Sequence, residues 1–546
     1  MKILANILFT FGISIALGAI TSLIPNPVFS AHADIAKPAC TTAIIASSAG
    51  PICGTSLAFQ SGKQVQAFMG IPFAESTAHA NRWQAPVPKA PWATPFIATQ
   101  FGPICPQSGA ASTLAQSEDC LSLNIWVPAG ASADAKLPVM VFIYGGGFSS
   151  GYSASALYDG SYIAANKPVI VVSLNYRVGV LGFLAADGLT GNYGFMDQQL
   201  ALTWVQQNIQ SFGGNPAQVT LFGESAGAMS VGLHLFSAPG SAALFRAGIM
   251  ESNFFALPYK SLADQINVGN IFKQGLNCRD LECLRNADVN ALLVAESAFT
   301  PQMSTVFSGA KYYIPFTPVI DGRLLTRQPV SAAAGAKLNK PILMGTNKNE
   351  AVVFVHGQPI STSAYSAWAA SLFGQSFQKV IAKYPAQEDR PNSALWASVQ
   401  TDNFLTCSTR YVAAHAAAPV YAYVFNHQPS FNLTGVKSCN VDDNVCHTVE
   451  LPFVFHTASA MGVSFTDEER QLSTAIIDYW TNFAIHLNPN GNTPRPPGLT
   501  HWPKFTAQQK NYMLLDTKAL SVAVDPYQGV CDFWDTIGYD LIYPWK

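Results

Sequence analysis

The chain is short of charge. Asp, Glu, Lys and Arg make up 11% of its 546 residues, well under the roughly 25% of an average globular protein. The 30 basic and 32 acidic residues nearly cancel, leaving a net charge of −2, so nothing in the charge points to a polyanion such as nucleic acid. Beyond the N-terminus the sequence also lacks any run of about eighteen apolar residues, the length a membrane-spanning helix needs. It contains no C-x-x-C pair, which argues against a zinc site, and no repeat or low-complexity tract. What is there is hydrophobic: 49% of the residues. That is enough for a large buried core, with the polar surface drawn from Ser, Thr, Asn, Gln and Gly instead of from ions.

The N-terminus has the three parts of an export signal. Lys2 gives a short positive start, an apolar stretch runs from Ile3 to about Ile20, and Ala31-His32-Ala33 offers small residues at the two positions a signal peptidase reads. A membrane anchor is the competing reading, but Pro25 and Pro27 and the A-x-A site favour cleavage. Residues 1–33 are therefore expected to be a signal peptide and 34–546 a secreted or periplasmic protein with no stable membrane insertion. Ten cysteines, an even number, fit export, because disulfides persist in oxidising compartments.

Several runs have the composition of strands buried on both faces. They are Leu137 to Tyr144, Pro168 to Tyr176, Val219 to Phe222, Pro341 to Met344 and Val420 to Phe425. Such continuous apolar, β-branched runs belong to parallel sheets covered by helices. Between the second and third lies a helix-period segment, Asp197 to Ile209, with Leu200, Leu202, Val205 and Ile209. Strand, helix, strand is a βαβ unit, so the fold class is α/β. No linker divides the chain, and one large domain over 34–546 is expected.

Two glycine-rich turns follow these strands. Gly223-Glu224-Ser225-Ala226-Gly227 is a G-x-S-x-G directly after an apolar strand. A serine hydroxyl becomes a nucleophile only when a base takes its proton and when it stands clear of the backbone. A tight strand-to-helix turn with flanking glycines provides the second condition. Tyr144-Gly145-Gly146-Gly147-Phe148 is the other turn. Its amides, with that of Ala226, suit the oxyanion of a tetrahedral intermediate. The bland reading of each is an ordinary Gly-containing turn; the two together favour the catalytic one.

At these motifs the chain resembles the type-B carboxylesterases of the carboxylesterase and cholinesterase superfamily. Glu118-Asp119-Cys120-Leu121-Ser122-Leu123-Asn124 matches the family's E-D-C-L-x-L-N, and Gly223 to Ser230 its G-E-S-A-G-x-x-S. Gly191 to Gln198 and Phe212-Gly213-Gly214-Asn215-Pro216 are also similar to family segments, and the resemblance runs from Gly70-Ile71-Pro72-Phe73-Ala74 onward. It implies an α/β-hydrolase fold: a large central, mostly parallel β-sheet flanked by helices, with helical insertions around an active-site gorge. It also implies a triad. Spacing alone cannot choose among the nine histidines that remain when His32 is set aside from ten. The family's H-x-x-E-L-P-x-V-F segment falls on His447 to Phe455, which singles out His447 as base. The family acid, in G-x-N-x-x-E-G, falls on Glu350, with Ala351 in place of the glycine. Asp321 is the outside alternative, although Pro318 to Gly322 reads more like a structural turn. The implied catalytic residues are Ser225, Glu350 and His447, with Gly146, Gly147 and Ala226 as oxyanion hole.

The resemblance extends to the cysteines. Cys105–Cys120, Cys278–Cys283 and Cys407–Cys531 resemble the family's three bridges, leaving Cys40–Cys53 and Cys439–Cys446 as local pairs. In cholinesterases the first of these loops carries a choline-binding tryptophan. Here Pro106 to Asp119 contains no aromatic residue, so a quaternary ammonium lacks its platform and uncharged esters are the expected substrates. No metal or organic cofactor is implied, the partner is a small-molecule ester, and oligomeric state is left open. An acyltransferase, thioesterase or amidase would use the same triad. A non-catalytic cholinesterase-like binding protein is the rival from another class, and the intact serine, histidine and glycine triplet speak against it. Phe148, Phe254 and Phe255 are candidates for pocket walls or for core.

Overall fold

The strand-like runs become neighbours in one eleven-stranded sheet of the computed structural model. The structure describes residues 39–541 apart from 110–114, 307–308, 336–339, 358 and 493–497. The expected signal peptide lies outside the described residues. In chain order the sheet contains β1 (Thr55–Ala58), β2 (Gln64–Pro72), β3 (Ser122–Pro128), β4 (Leu137–Ile143), β5 (Ile170–Leu174) and β6 (Gly214–Glu224). It continues with β7 (Ala247–Glu251), β8 (Ile342–Asn347), β9 (Val420–Phe425), β10 (Asn511–Leu515) and β11 (Ser521–Val524). The spatial order is β11-β10-β9-β8-β7-β6-β4-β5-β3-β2-β1.

The six pairings from β10 to β5 are parallel, and those at the two edges are antiparallel. Burial follows the same division. Every residue of β5, β7, β8 and β9 is buried, whereas β1 and β11 alternate between half-buried and exposed. Central parallel strands lie between layers of helices, and edge strands keep one face wet. The strand read from the sequence as Val219 to Phe222 is longer than expected and starts at Gly214, with a register irregularity against β4 before Val219. A polar and proline-containing opening hides that start from an apolar-run reading: Asn215, Pro216, Ala217 and Gln218 carry no buried-strand signal.

Helix α1 (Tyr193–Asn208) supplies the expected crossover between β5 and β6, and α2 (Ala226–Phe236) leaves β6 directly. Helix α3 (Leu262–Gly275) belongs to the insertion between β7 and β8, and α4 (Asp467–His486) packs over β4 and β6. Phe142 of β4, Phe222 of β6 and Phe455 pack against one another, with ring centroids 4.9 to 5.6 Å apart. Most of the remaining helices lie between β7 and β9, where they form the insertions around the cleft. Among the described residues no helix is long and apolar enough to cross a membrane.

All ten cysteines are paired: Cys40–Cys53, Cys105–Cys120, Cys278–Cys283, Cys407–Cys531 and Cys439–Cys446.

Candidate active site

Parallel strands deliver their following loops to one edge of the sheet, and an open α/β sheet binds ligands at that carboxyl edge. Here the loops after β4, β6, β8 and β9 carry Gly145–Gly147, Ser225, Glu350 and His447 in turn. The first two strands are direct neighbours, so the glycine loop faces the serine.

Ser225 joins β6 to α2 with φ 57° and ψ −124°, a strained conformation for a residue with a side chain. The turn closes only because its flanks are glycines. A Cβ on Gly227 would lie 1.9 Å from the Ile143 carbonyl oxygen, and one on Gly223 2.6 Å from the same atom. A Cβ on Gly145 would meet the Glu224 carboxylate at 2.8 Å and Ser225 Cβ at 2.9 Å, so the two loops are in contact. Ala226 is the first residue of α2, and its N–H has no carbonyl within its own helix to bond. Among the described residues no backbone acceptor takes the N–H of Gly146 or Gly147 either.

His447 is buried, and its Nδ1 lies 2.6 Å from Glu350 Oε2. The other Glu350 oxygen accepts from Ser252 Oγ at 2.5 Å and from the Asn347 N–H at 2.6 Å. The backbone is tied as well: His447 N–H donates to Glu350 O, and Asn347 Nδ2 donates to Cys446 O at 2.8 Å. Phe254 and Phe354 enclose the imidazole, each with its centroid 5.3 Å away. Among the described residues His447 Nε2 has no hydrogen-bond partner; it lies 3.0 Å from Glu224 Oε1, an electrostatic contact without hydrogen-bond alignment. Asp321, the outside alternative, is elsewhere: its Oδ1 accepts the N–H groups of Arg323, Leu324 and Leu325, as a structural turn requires.

Two carboxyl groups flank this histidine, and Glu251 and Glu450 lie close enough to them to raise one another's pKa. Burial pushes Glu251 up to about 8, against the hydrogen bond from Trp480. Burial and the neighbouring carboxylates push Glu450 well above the usual range. Burial also raises Glu224, although His447 opposes the shift. For His447 burial acts downward, but Glu224 and Glu350 override it and hold the imidazole above its ordinary value. The raised histidine is the direction the geometry supports, because two carboxyl groups flank one ring. Ser252, Glu224 and Glu450 are not singled out by the sequence reading. A signal is nonetheless present for two of them, since Glu224 adjoins Ser225 and Glu450 lies three residues beyond His447.

The cleft above Ser225 takes in about 530 Å³ of atom-free space, part of it open to solvent. Gly147, Ser225 and Ala226 form its floor, and the walls are almost wholly apolar, with Phe254, Leu257, Ile314, Phe354 and Phe404 among them. Of the three phenylalanines weighed as walls, Phe254 lines the cleft. Phe148 is buried against Phe183 and Tyr259, and Phe255 against Phe236.

The sequence profile of the carboxylesterase family matches residues 41–534. The chain belongs to the carboxylesterase family. It is 35% identical over 472 residues to the cAMP-regulated D2 protein of Dictyostelium discoideum, covering 82% of this chain and 85% of that protein. It is 32% identical over 570 residues to the acetylcholinesterase of Danio rerio, with 90% and 88% covered. In structure it is similar to a thermophilic PNB esterase, with a TM-score of 0.78 at 30% identity over 90% of this chain and 99% of that one. Family membership together with this architecture makes the protein a carboxylic ester hydrolase with the α/β-hydrolase fold.

Proposed function

We propose that the enzyme hydrolyses uncharged carboxylic esters through an acyl-enzyme at Ser225. The observation that carries the reading is the strained Ser225 turn facing the Gly145–Gly147 loop, with the hydrogen-bonded His447–Glu350 pair delivered to the same sheet edge. His447 Nε2 takes the Ser225 Oγ proton as Oγ adds to the ester carbonyl carbon. The N–H groups of Gly146, Gly147 and Ala226 receive the resulting oxyanion. When the intermediate collapses, His447 returns the proton to the leaving alcohol. Water then attacks the acyl group, His447 takes its proton, and the carboxylic acid leaves with Ser225 restored. Glu350 fixes the ring tautomer and stabilises the imidazolium. Nε2 must turn from Glu224 toward Oγ to begin the cycle; base–nucleophile contacts of this kind commonly tighten only when substrate is bound.

The preference for uncharged over choline esters rests on the aromatic-free segment from Pro106 to Asp119 and on the nearly unbroken apolar lining of the cleft. Five disulfides support an oxidising destination, secreted or periplasmic, with residues 1–33 removed and 34–546 acting as one domain. The reading is tested with p-nitrophenyl acetate. Ser225→Ala should cut turnover by about 10⁴-fold or more while the protein stays folded. Near-normal turnover by a folded variant would remove the mechanism.

A further inference from the structure

Lys260 is a lysine with no access to solvent. It stands just before α3, in a two-residue strand paired in parallel with Val319–Ile320. Burying an ammonium is expensive, and burial pulls its pKa down to about 7, with Asp264 opposing and Lys311 reinforcing the shift. Among the described residues no carboxylate pairs directly with Nζ to offset that cost. All three of its hydrogen bonds go to one short segment of chain: to Lys311 O at 3.0 Å, Ile314 O at 2.8 Å and Thr317 Oγ1 at 3.0 Å. The neighbouring residues of α3 grip the same segment. Gln265 Nε2 donates to Pro315 O at 3.0 Å, and Asp264 accepts from Lys311 Nζ and the Tyr312 hydroxyl. The segment from Lys311 to Thr317 is therefore held at most of its positions from one side.

The other side of that segment faces the reaction. Tyr313 and Ile314 line the cleft together with Ser225 and Ala226, and Tyr313 packs edge-on against Phe404, another wall residue, with centroids 6.3 Å apart. The carbonyl that Lys260 holds most closely is that of Ile314 itself. We propose that Lys260 is a positioning residue that sets which esters the cleft accepts, by fixing the 311–317 segment and hence the wall made by Tyr313 and Ile314. This inference rests on reading the cleft above Ser225 as an ester-binding site. It assigns Lys260 no contact with substrate. The lysine acts through the wall, and a methionine of similar length would fill the same space without supplying three donors to two carbonyls and a hydroxyl.

The test compares the full chain with its Lys260→Met, Thr317→Val, Ile314→Ala and Lys260→Met/Ile314→Ala variants. The substrates are p-nitrophenyl esters from acetate to decanoate, and thermal melting reports the fold. Acetate is the shortest acyl chain of the set, so Lys260→Met should hydrolyse it with kcat/KM within about twofold of the parent. For the longest ester the parent accepts well, KM should rise on the order of tenfold with little change in kcat, the scale of losing hydrogen bonds to a charged group. On the Ile314→Ala background the same change should add little, because both act on one wall. A folded Lys260→Met enzyme with the parental chain-length profile, or with an equal loss on every ester, overturns the proposal. If that variant does not fold, Thr317→Val carries the test. A smaller shift in the same direction supports the proposal, and an unchanged profile overturns it. A parent enzyme that hydrolyses none of these esters would instead overturn the ester-hydrolase reading, and the role of the wall with it.

Discussion

His447 Nε2 lies 3.0 Å from an oxygen of Glu224, the residue immediately before Ser225. The imidazole is thus flanked by two carboxyl groups, one at each ring nitrogen, and both favour its protonated form.

The proposed mechanism needs His447 without its proton, and Glu224 and Glu350 raise the pKa of the ring. Activity should therefore be lost as pH falls through a value above the ordinary histidine range, near 6.5. Glu224→Gln removes one of the two charges, so its histidine should deprotonate more easily. The acid limb of kcat/KM against pH should move to lower pH in the variant. An unmoved limb would mean that Glu224 does not govern the base.

Glu350 and Asp321 compete in the sequence for the role of triad acid, and their surroundings differ. Glu350→Gln keeps the shape but spoils the acceptor facing His447 Nδ1. kcat should fall by about 10⁴-fold, as when the acid of a triad is made an amide. Asp321→Ala should leave kcat within a few-fold. It strips the acceptor from three backbone N–H groups, so it should lower the melting temperature, at a cost of about 1–3 kcal/mol. The reverse pattern would reassign the acid.

Choline esters should be poor substrates. Butyrylthiocholine and an uncharged butyrate ester of similar size can be compared under identical conditions. kcat/KM should favour the uncharged ester, because a desolvated cation–π contact is worth about 2 kcal/mol and the segment from Pro106 to Asp119 supplies no ring. Selective turnover of butyrylthiocholine would refute this.

The bridge between Cys439 and Cys446 ends one residue before the base. Closing a loop this short contributes about 2.5 kcal/mol in the chain-entropy model. The larger consequence should be local, because a displacement of about 1 Å in a catalytic group can cost on the order of a hundredfold in rate. Cys439→Ser with Cys446→Ser should lower kcat proportionally more than it lowers melting temperature. Asn349 also grips this loop, exchanging hydrogen bonds with Val445, so the double variant should still fold. Equal kcat in the two proteins would show that those bonds suffice to hold His447.

The sheet was legible at five of its buried strands but not at β3 or β7, which are buried as well. β4, β5, β8 and β9 announce themselves as apolar runs, and the turns after β4 and β6 carry glycines that sterics demand. The outermost strands β1 and β11 and the polar start of β6 were not legible either, because alternation over four residues does not stand out from loop sequence. At the site, motifs single out individual residues but not their neighbours in space. Ser252, 98 residues from Glu350 in sequence, bonds to it through a fold that no local pattern encodes. Lys260 is less legible still: a lysine with neighbours of ordinary composition reads as solvated surface until its segment is seen to run beneath the cleft.

The Cys407–Cys531 bridge spans 124 residues, and its near end lies three residues after Phe404, a wall of the cleft. The far end sits in the helix Gln528–Ile537, which packs on the segment containing Phe404. By the time His447 has been synthesised, every residue of the proposed triad is already in the chain, yet that wall still lacks its tether. On the proposed mechanism the groups that break the ester bond are thus all made before the wall at Phe404 can receive its tether, which waits for Cys531 to be made and joined to Cys407.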